Sequence, residues 1–336
     1  MNFAVIGINH GHVYGQVEGL LSIPGATCSG VATAEPRLLE EFSRRFPGVA
    51  VRTKESILAD PTIDLITCAA INSQRGALAV EALSHGKHFF VDKPPLTDLN
   101  QLDPLRRAVE KSGRLFFVYF SERLSQPFDD LARQIFRQGG IGDLVHLMGV
   151  GPHKLNAATR PDWFFDPWQY GGVLNDLLSH QVDWFCWFTG EKIKHFSSRV
   201  GRFGAAPQKN FDDFGDVTVT AESGITGYFR ADWFTPEKNP VWGDVRGLIV
   251  GTRGTIEIRR IANLSAIDAT DSGPCMILTN DTSGPMRLMP ENKTLTWPRE
   301  IMNSLRLGKN QLNEPEMLWH VMETTLRIQA QAVRVK

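Results

Sequence analysis

The stretch Phe3-Ala4-Val5-Ile6-Gly7-Ile8-Asn9-His10-Gly11-His12 is an apolar run that breaks at a glycine and opens a helical pattern over residues 13–21. A strand, a tight turn and a helix in that order form the first step of an alternating fold. The step repeats. Short apolar runs at residues 30–32, 64–69, 88–91 and 115–119 alternate with helical patterns at 37–46, 77–84 and 99–111. Alternation of this kind predicts an α/β domain built on a doubly wound parallel sheet.

The turn after the first run carries part of the phosphate-binding pattern G-x-G-x-x-G, with Gly7 at the first position, Asn9 at the second and His12 at the third. Asparagine can accept the left-handed backbone that glycine would supply, and the amides of the helix that follows can still bind phosphate. Gly7, Asn9, His10, Gly11 and His12 are therefore expected to face a dinucleotide in a Rossmann-type domain. No nearby cysteine or carboxylate completes a ligand set around His10 and His12, so no metal is expected there. After the second strand, Thr33 occupies the place of the usual ribose-binding carboxylate, Glu35 two residues later could substitute for it, and Arg37 could meet the extra phosphate of NADP. The cofactor expected is NAD or NADP.

Two further segments carry chemistry. Residues 86–95 read as a buried strand that ends in Asp92-Lys93-Pro94-Pro95, placing a lysine at the carboxyl end of a parallel strand, where such sheets bind ligands. Residues 171–183 begin Gly171-Gly172 and place Asp176 and His180 one helical turn apart. A carboxylate at that spacing can orient an imidazole for acid/base work on a hydroxyl or carbonyl, although a solvated polar pair on a packed helix gives the same pattern.

On these segments the chain resembles the Gfo/Idh/MocA family of glucose-fructose oxidoreductase, inositol dehydrogenase and their relatives, with Asp92 where that family has Glu. The resemblance spans nearly the whole chain. It implies reversible hydride transfer between a nicotinamide and a secondary alcohol of a sugar, polyol or inositol. His180 would be the base, Asp176 its orienting partner and Lys93 the group that holds the alcohol and its developing alkoxide. It also implies a cis peptide before Pro94, with Asp92 and Pro94 beside the cofactor, and an arginine after the fifth strand, here Arg123, that meets substrate or cofactor.

The alternation stops near residue 121, and all eight tryptophans lie beyond position 160. Strand patterns at 145–150, 195–200, 217–221, 226–231, 248–250 and 255–258 predict an α+β domain with a large, mainly antiparallel, open-faced sheet. His153, Arg160, Trp163 and Trp233 are its candidate substrate contacts, with indole faces suited to the C–H side of a sugar ring. A last helix is expected over residues 314–333, packing back on the first domain. The expected divisions are 1–120, 121–310 and 311–336.

Composition narrows the partners. In 336 residues, 36 basic and 37 acidic side chains leave a formal net charge of −1, which gives no reason to expect nucleic acid or an anionic membrane. Four well-separated cysteines show no metal spacing and suit a reducing compartment. Met1 leads straight into a strand, so a signal peptide is not expected and the cytoplasm is the expected location. An open sheet face suggests a homodimer or homotetramer. Two other functions share these features: a redox-assisted glycosidase or lyase that retains its NAD, and a non-catalytic nucleotide-binding sensor or scaffold.

Overall fold

The computed structural model describes residues 1–125, 127–265, 272–290 and 294–336. The chain forms two compact units. The first comprises Met1–Ser121, Trp168–Gly171 and Thr296–Glu323. The second comprises Glu122–Pro167, Gly172–Leu295 and Thr324–Lys336.

In the first unit, β1 (Asn2–Ile8), β2 (Thr27–Ala32), β3 (Leu65–Ala69), β4 (His88–Asp92) and β5 (Phe116–Tyr119) pair in parallel in the order β2-β1-β3-β4-β5. A lone parallel bridge joins Val31 to Val51 outside β2. Counted as a strand, it restores the dinucleotide-binding order, with its third strand reduced to one residue pair. The strand order reverses between β1 and β3, and ligands of such sheets bind at the carboxyl ends beside that reversal.

The helix His12–Leu21 buries Val13, Gln16, Val17 and Leu20, a stripe at helical spacing. The helix Trp297–Leu307 belongs to this unit too, although the sequence places it in the second domain. Its fully buried Trp297 packs at 5.4 Å from Phe90 and 5.3 Å from Tyr119. Gly19 makes room for it, since a Cβ there would lie 2.0 Å from the indole.

The second unit is built on β6 (Leu144–Pro152), β7 (Ile193–Gly201), β8 (Phe214–Ala221), β9 (Thr226–Asp232), β10 (Arg246–Gly251), β11 (Gly254–Arg259), β12 (Cys275–Asn280), β13 (Ser283–Leu288) and β14 (Val333–Arg334). They form one sheet in the order β13-β12-β11-β10-β6-β9-β8-β7-β14. Only β6 with β9 and β7 with β14 pair in parallel among the described strands. Strands β12 and β13 escape the sequence reading because neither alternates cleanly. The final helix, Pro315–Ala330, stops short of Val333, which is a strand residue paired with Arg199 rather than a helical one.

Candidate active site

In the first unit the expected cofactor loop closes tightly against β3. Gly7 has φ of 80°, and a Cβ on it would lie 2.4 Å from the Ala70 Cβ. Only glycine fits both the backbone and the space. Gly11 has nothing within 4 Å of its would-be Cβ and caps the next helix without a side-chain acceptor. An open glycine at a helix start after a parallel strand fits a dinucleotide phosphate group. Asn9 does not take the left-handed backbone expected of it; among the described non-glycine residues Asn156 alone has positive φ. Thr33 turns its hydroxyl to the Glu35 amide at 3.2 Å, and Arg37 is exposed.

The end of β4 is held by a residue the sequence reading missed. Arg75 is fully buried on the helix Asn72–Ser84. Its guanidinium donates to the carbonyls of Ala70 (2.8 Å), Asp92 (3.2 Å), Lys93 (2.6 Å) and Pro94 (3.0 Å), and to the Asp92 carboxylate at 3.1 Å. Lys93–Pro94 is cis, as the resemblance implied, and Lys93 is 3 % exposed. A signal for Arg75 was available: Asn72, Arg75, Gly76 and Ala79 lie on one helical stripe, all buried.

A carboxylate does reach the two loop histidines, correcting the expectation that none would. Asp92 Oδ1 lies 2.7 Å from His12 Nδ1, and Oδ2 lies 3.0 Å from His10 Nδ1. On its far side, His12 Nε2 meets the Ser121 hydroxyl at 3.3 Å. Burial, then repulsion by His12, lowers the His10 imidazole to about 4 despite Asp92. Burial opposes ionisation of Asp92, but the charges of His12, Arg75 and His10 outweigh it and hold the carboxyl well below its usual range.

In the second unit, Asp176 and His180 are buried at 6 % and 3 % exposure, which excludes the solvated pair. They do not share one continuous helix. Val173–Asp176 ends and Ser179–Thr189 begins around Leu177 and Leu178, where the turn tightens so that the His180 amide bonds the Leu177 carbonyl at 3.4 Å. Gly172, at φ of 88°, leaves the space filled by Gln329, whose amide oxygen accepts from the Leu174 and Asn175 amides.

The candidate substrate contacts divide. Arg123 is buried and bonds Asp183 at 2.7 and 3.1 Å, so it anchors the helix that carries His180. Trp233 is 4 % exposed, with Arg160 lying over its ring at 5.2 Å, so its faces serve the core. Trp163 meets Phe164 edge-on. His153 lies at the end of β6, its Nδ1 3.0 Å from the Gly151 carbonyl. Its ring packs 4.5 Å from Trp242, which is 43 % exposed and was not singled out in the sequence.

This loop, sheet order and clamped Lys93 define an oxidoreductase of the NAD-binding Rossmann class, and comparison with known proteins agrees. Residues 1–120 match the oxidoreductase family model with an NAD-binding Rossmann fold, and residues 130–257 match the GFO/IDH/MocA C-terminal domain. The chain belongs to the GFO/IDH/MocA family. It is similar to the scyllo-inositol 2-dehydrogenase (NAD(+)) of Bacillus subtilis, 26% identical over 76% of this chain and 72% of that one. Against the myo-inositol 2-dehydrogenase of Thermotoga maritima it is 24% identical, over 81% and 79%. A crystal structure of a putative oxidoreductase from Erwinia carotovora atroseptica superposes with a TM-score of 0.93 at 35% identity, covering all of both chains. No helix among the described residues is long and apolar enough to cross a membrane.

Proposed function

We propose that this protein is an NAD(P)-dependent dehydrogenase acting on a secondary alcohol of a sugar, polyol or inositol-type substrate. The observation that carries the reading is the Arg75 clamp, which fixes the backbone of Lys93 at the carboxyl end of a parallel strand. Support for the substrate class comes from the inositol dehydrogenases named above and from D-xylose dehydrogenase of Paenarthrobacter nicotinovorans, 29% identical over 57% of this chain and 49% of that one.

The residues divide the work by their chemistry. His180, as a neutral imidazole, takes the hydroxyl proton, and Asp176 favours the imidazolium that results. Lys93 presents an ammonium to the oxygen on which negative charge develops. When bound, the nicotinamide accepts the hydride; Gly7, Gly11 and the start of the helix His12–Leu21 are the elements suited to hold its diphosphate.

Purified protein is incubated with NAD⁺ or NADP⁺ and a panel of sugars, polyols and inositols, and reduced nicotinamide is followed by absorbance. Lys93→Met and His180→Asn are expected to lower turnover by about 10²–10⁴-fold. Unchanged turnover in both variants would refute the assignment. Product formed without net nicotinamide reduction would replace it with a redox-assisted lyase or glycosidase.

The same reading includes a homodimer or homotetramer formed through the open face of the nine-stranded sheet. Met148, Tyr228 and Leu248 are neighbours across β6, β9 and β10, and Met148 is 37 % exposed. Light scattering of the wild type and of Met148→Asp tests it: a wild-type monomer removes this part of the reading.

A further inference from the structure

The first unit holds a cluster of ligating side chains, on the turn and strand end expected beside the dinucleotide, that has no part in the proton transfer assigned to His180, Asp176 and Lys93. One ligand atom each from His10, His12 and Asp92 lies within 4.8 Å of the others. Two imidazoles and one carboxylate, with the remaining directions open, are the donor set of a reactive site for zinc or iron(II). Bonds of about 2.0–2.2 Å set neighbouring donors roughly 3 Å apart around an octahedral ion. Here His12 Nδ1 lies 2.7 Å from Oδ1 of Asp92 and His10 Nδ1 lies 3.0 Å from Oδ2, so each ring meets its own oxygen of the one carboxylate.

We propose that His10, His12 and Asp92 bind a first-row transition dication of the zinc or iron(II) class, with its other positions open to water or a ligand oxygen. The surroundings have the form that ligands require. Ser121 Oγ stands 3.3 Å from His12 Nε2, the ring nitrogen left over when Nδ1 coordinates, and it accepts that N–H. Arg75 holds Asp92 from behind at 3.1 Å, as partners of ligating carboxylates do. Asp92 has no exposed surface and ends a core strand, His12 opens the helix His12–Leu21, and His10 lies in the turn that joins that helix to the buried strand β1.

Arg75 and Lys93 add positive charge that weakens affinity for any cation. Titration is therefore more informative than the metal content of the protein as purified. The competing account is that Asp92 only hydrogen-bonds the two rings, which needs a proton on each Nδ1 where coordination needs none.

The untagged full chain, stripped by chelator and dialysed, is titrated with Co²⁺, and visible d–d absorption and bound equivalents are followed. One Co²⁺ per chain, displaced by Zn²⁺, is expected. His10→Ala, His12→Ala and Asp92→Asn should each weaken binding by at least about 10–100-fold, and Ser121→Ala should weaken it by roughly tenfold. His85→Ala, at an exposed histidine elsewhere, should leave it unchanged. Protection of His10 and His12 from diethyl pyrocarbonate by the bound ion, mapped by peptide mass spectrometry on the wild type, tests the assignment without a variant. Absence of saturable Co²⁺ binding, binding that survives all three ligand substitutions, or absence of protection would overturn it. None of these readouts depends on dehydrogenase activity.

Discussion

Strands β3 and β6 follow opposite rules. Every residue of Leu65–Ala69 is buried, whereas Leu144–Val150 alternates between a covered face and an open one that includes Met148. Helices cover both faces of a parallel sheet, so its strands lose their polar alternation and their chemistry moves to the strand ends. The antiparallel sheet keeps a free face and can use it for contact. One chain thus holds a sheet buried along its strands and a sheet that leaves one face open.

The largest effect expected from breaking this contrast is at a strand tip. Arg75→Met leaves Asp92 buried without its cation and strands four carbonyls, and should cost about 3–5 kcal/mol in urea unfolding. A variant as stable as the wild type would show that the clamp is not what holds the β4 end.

The two sheets can also be set side by side. Phe90→Ala, in the core of the parallel sheet, should lose about 3–5 kcal/mol, while Met148→Ala on the open face should change stability by less than about 0.5 kcal/mol at concentrations where the chain is monomeric. Similar losses at both positions would mean that Met148 is packed within the monomer and that this face is not open.

Gly7→Ala should cost about 2–4 kcal/mol, from a left-handed backbone and a collision with Ala70 together, and should weaken nicotinamide binding. Ordinary stability in that variant would show that the loop can open.

The smallest effect is one of pH. Burial, reinforced by Arg114, lowers the His88 imidazole from 6.5 to about 4, and its Nδ1 accepts from the Leu115 amide at 2.9 Å. Folding favours the neutral ring, so this contribution is complete above pH 6.5 and is lost as pH falls toward 4. The melting temperature should decline across that window, and His88→Asn, which keeps an acceptor, should flatten the decline.

Much of the first unit was legible because each strand and helix is a local pattern. The turn at Gly7, the Lys93-Pro94 segment and the nucleotide class followed from short stretches. Convergence was not legible: His12 and Asp92 are 80 residues apart, and nothing near either one announces the other. Arg75 reads as a surface charge until its place on the apolar stripe is noticed. The interruption between Asp176 and His180 was hidden because Leu177 and Leu178 suit a helix, while the tightened turn shows only in the backbone bonds. In the second unit an indole signalled burial without telling core from exposed contact; Trp233 proved the former and Trp242 the more exposed.

The guanidinium behind β4 also bears on how this protein meets a ligand. By joining the Ala70 carbonyl to those of Asp92, Lys93 and Pro94, it ties the ends of two neighbouring strands through one side chain. The conformational entropy of that segment is lost on folding, so little ordering is left for the encounter with a ligand. The amides around Lys93 should therefore exchange with deuterium slowly in the unliganded chain, and ligand addition should slow them little further.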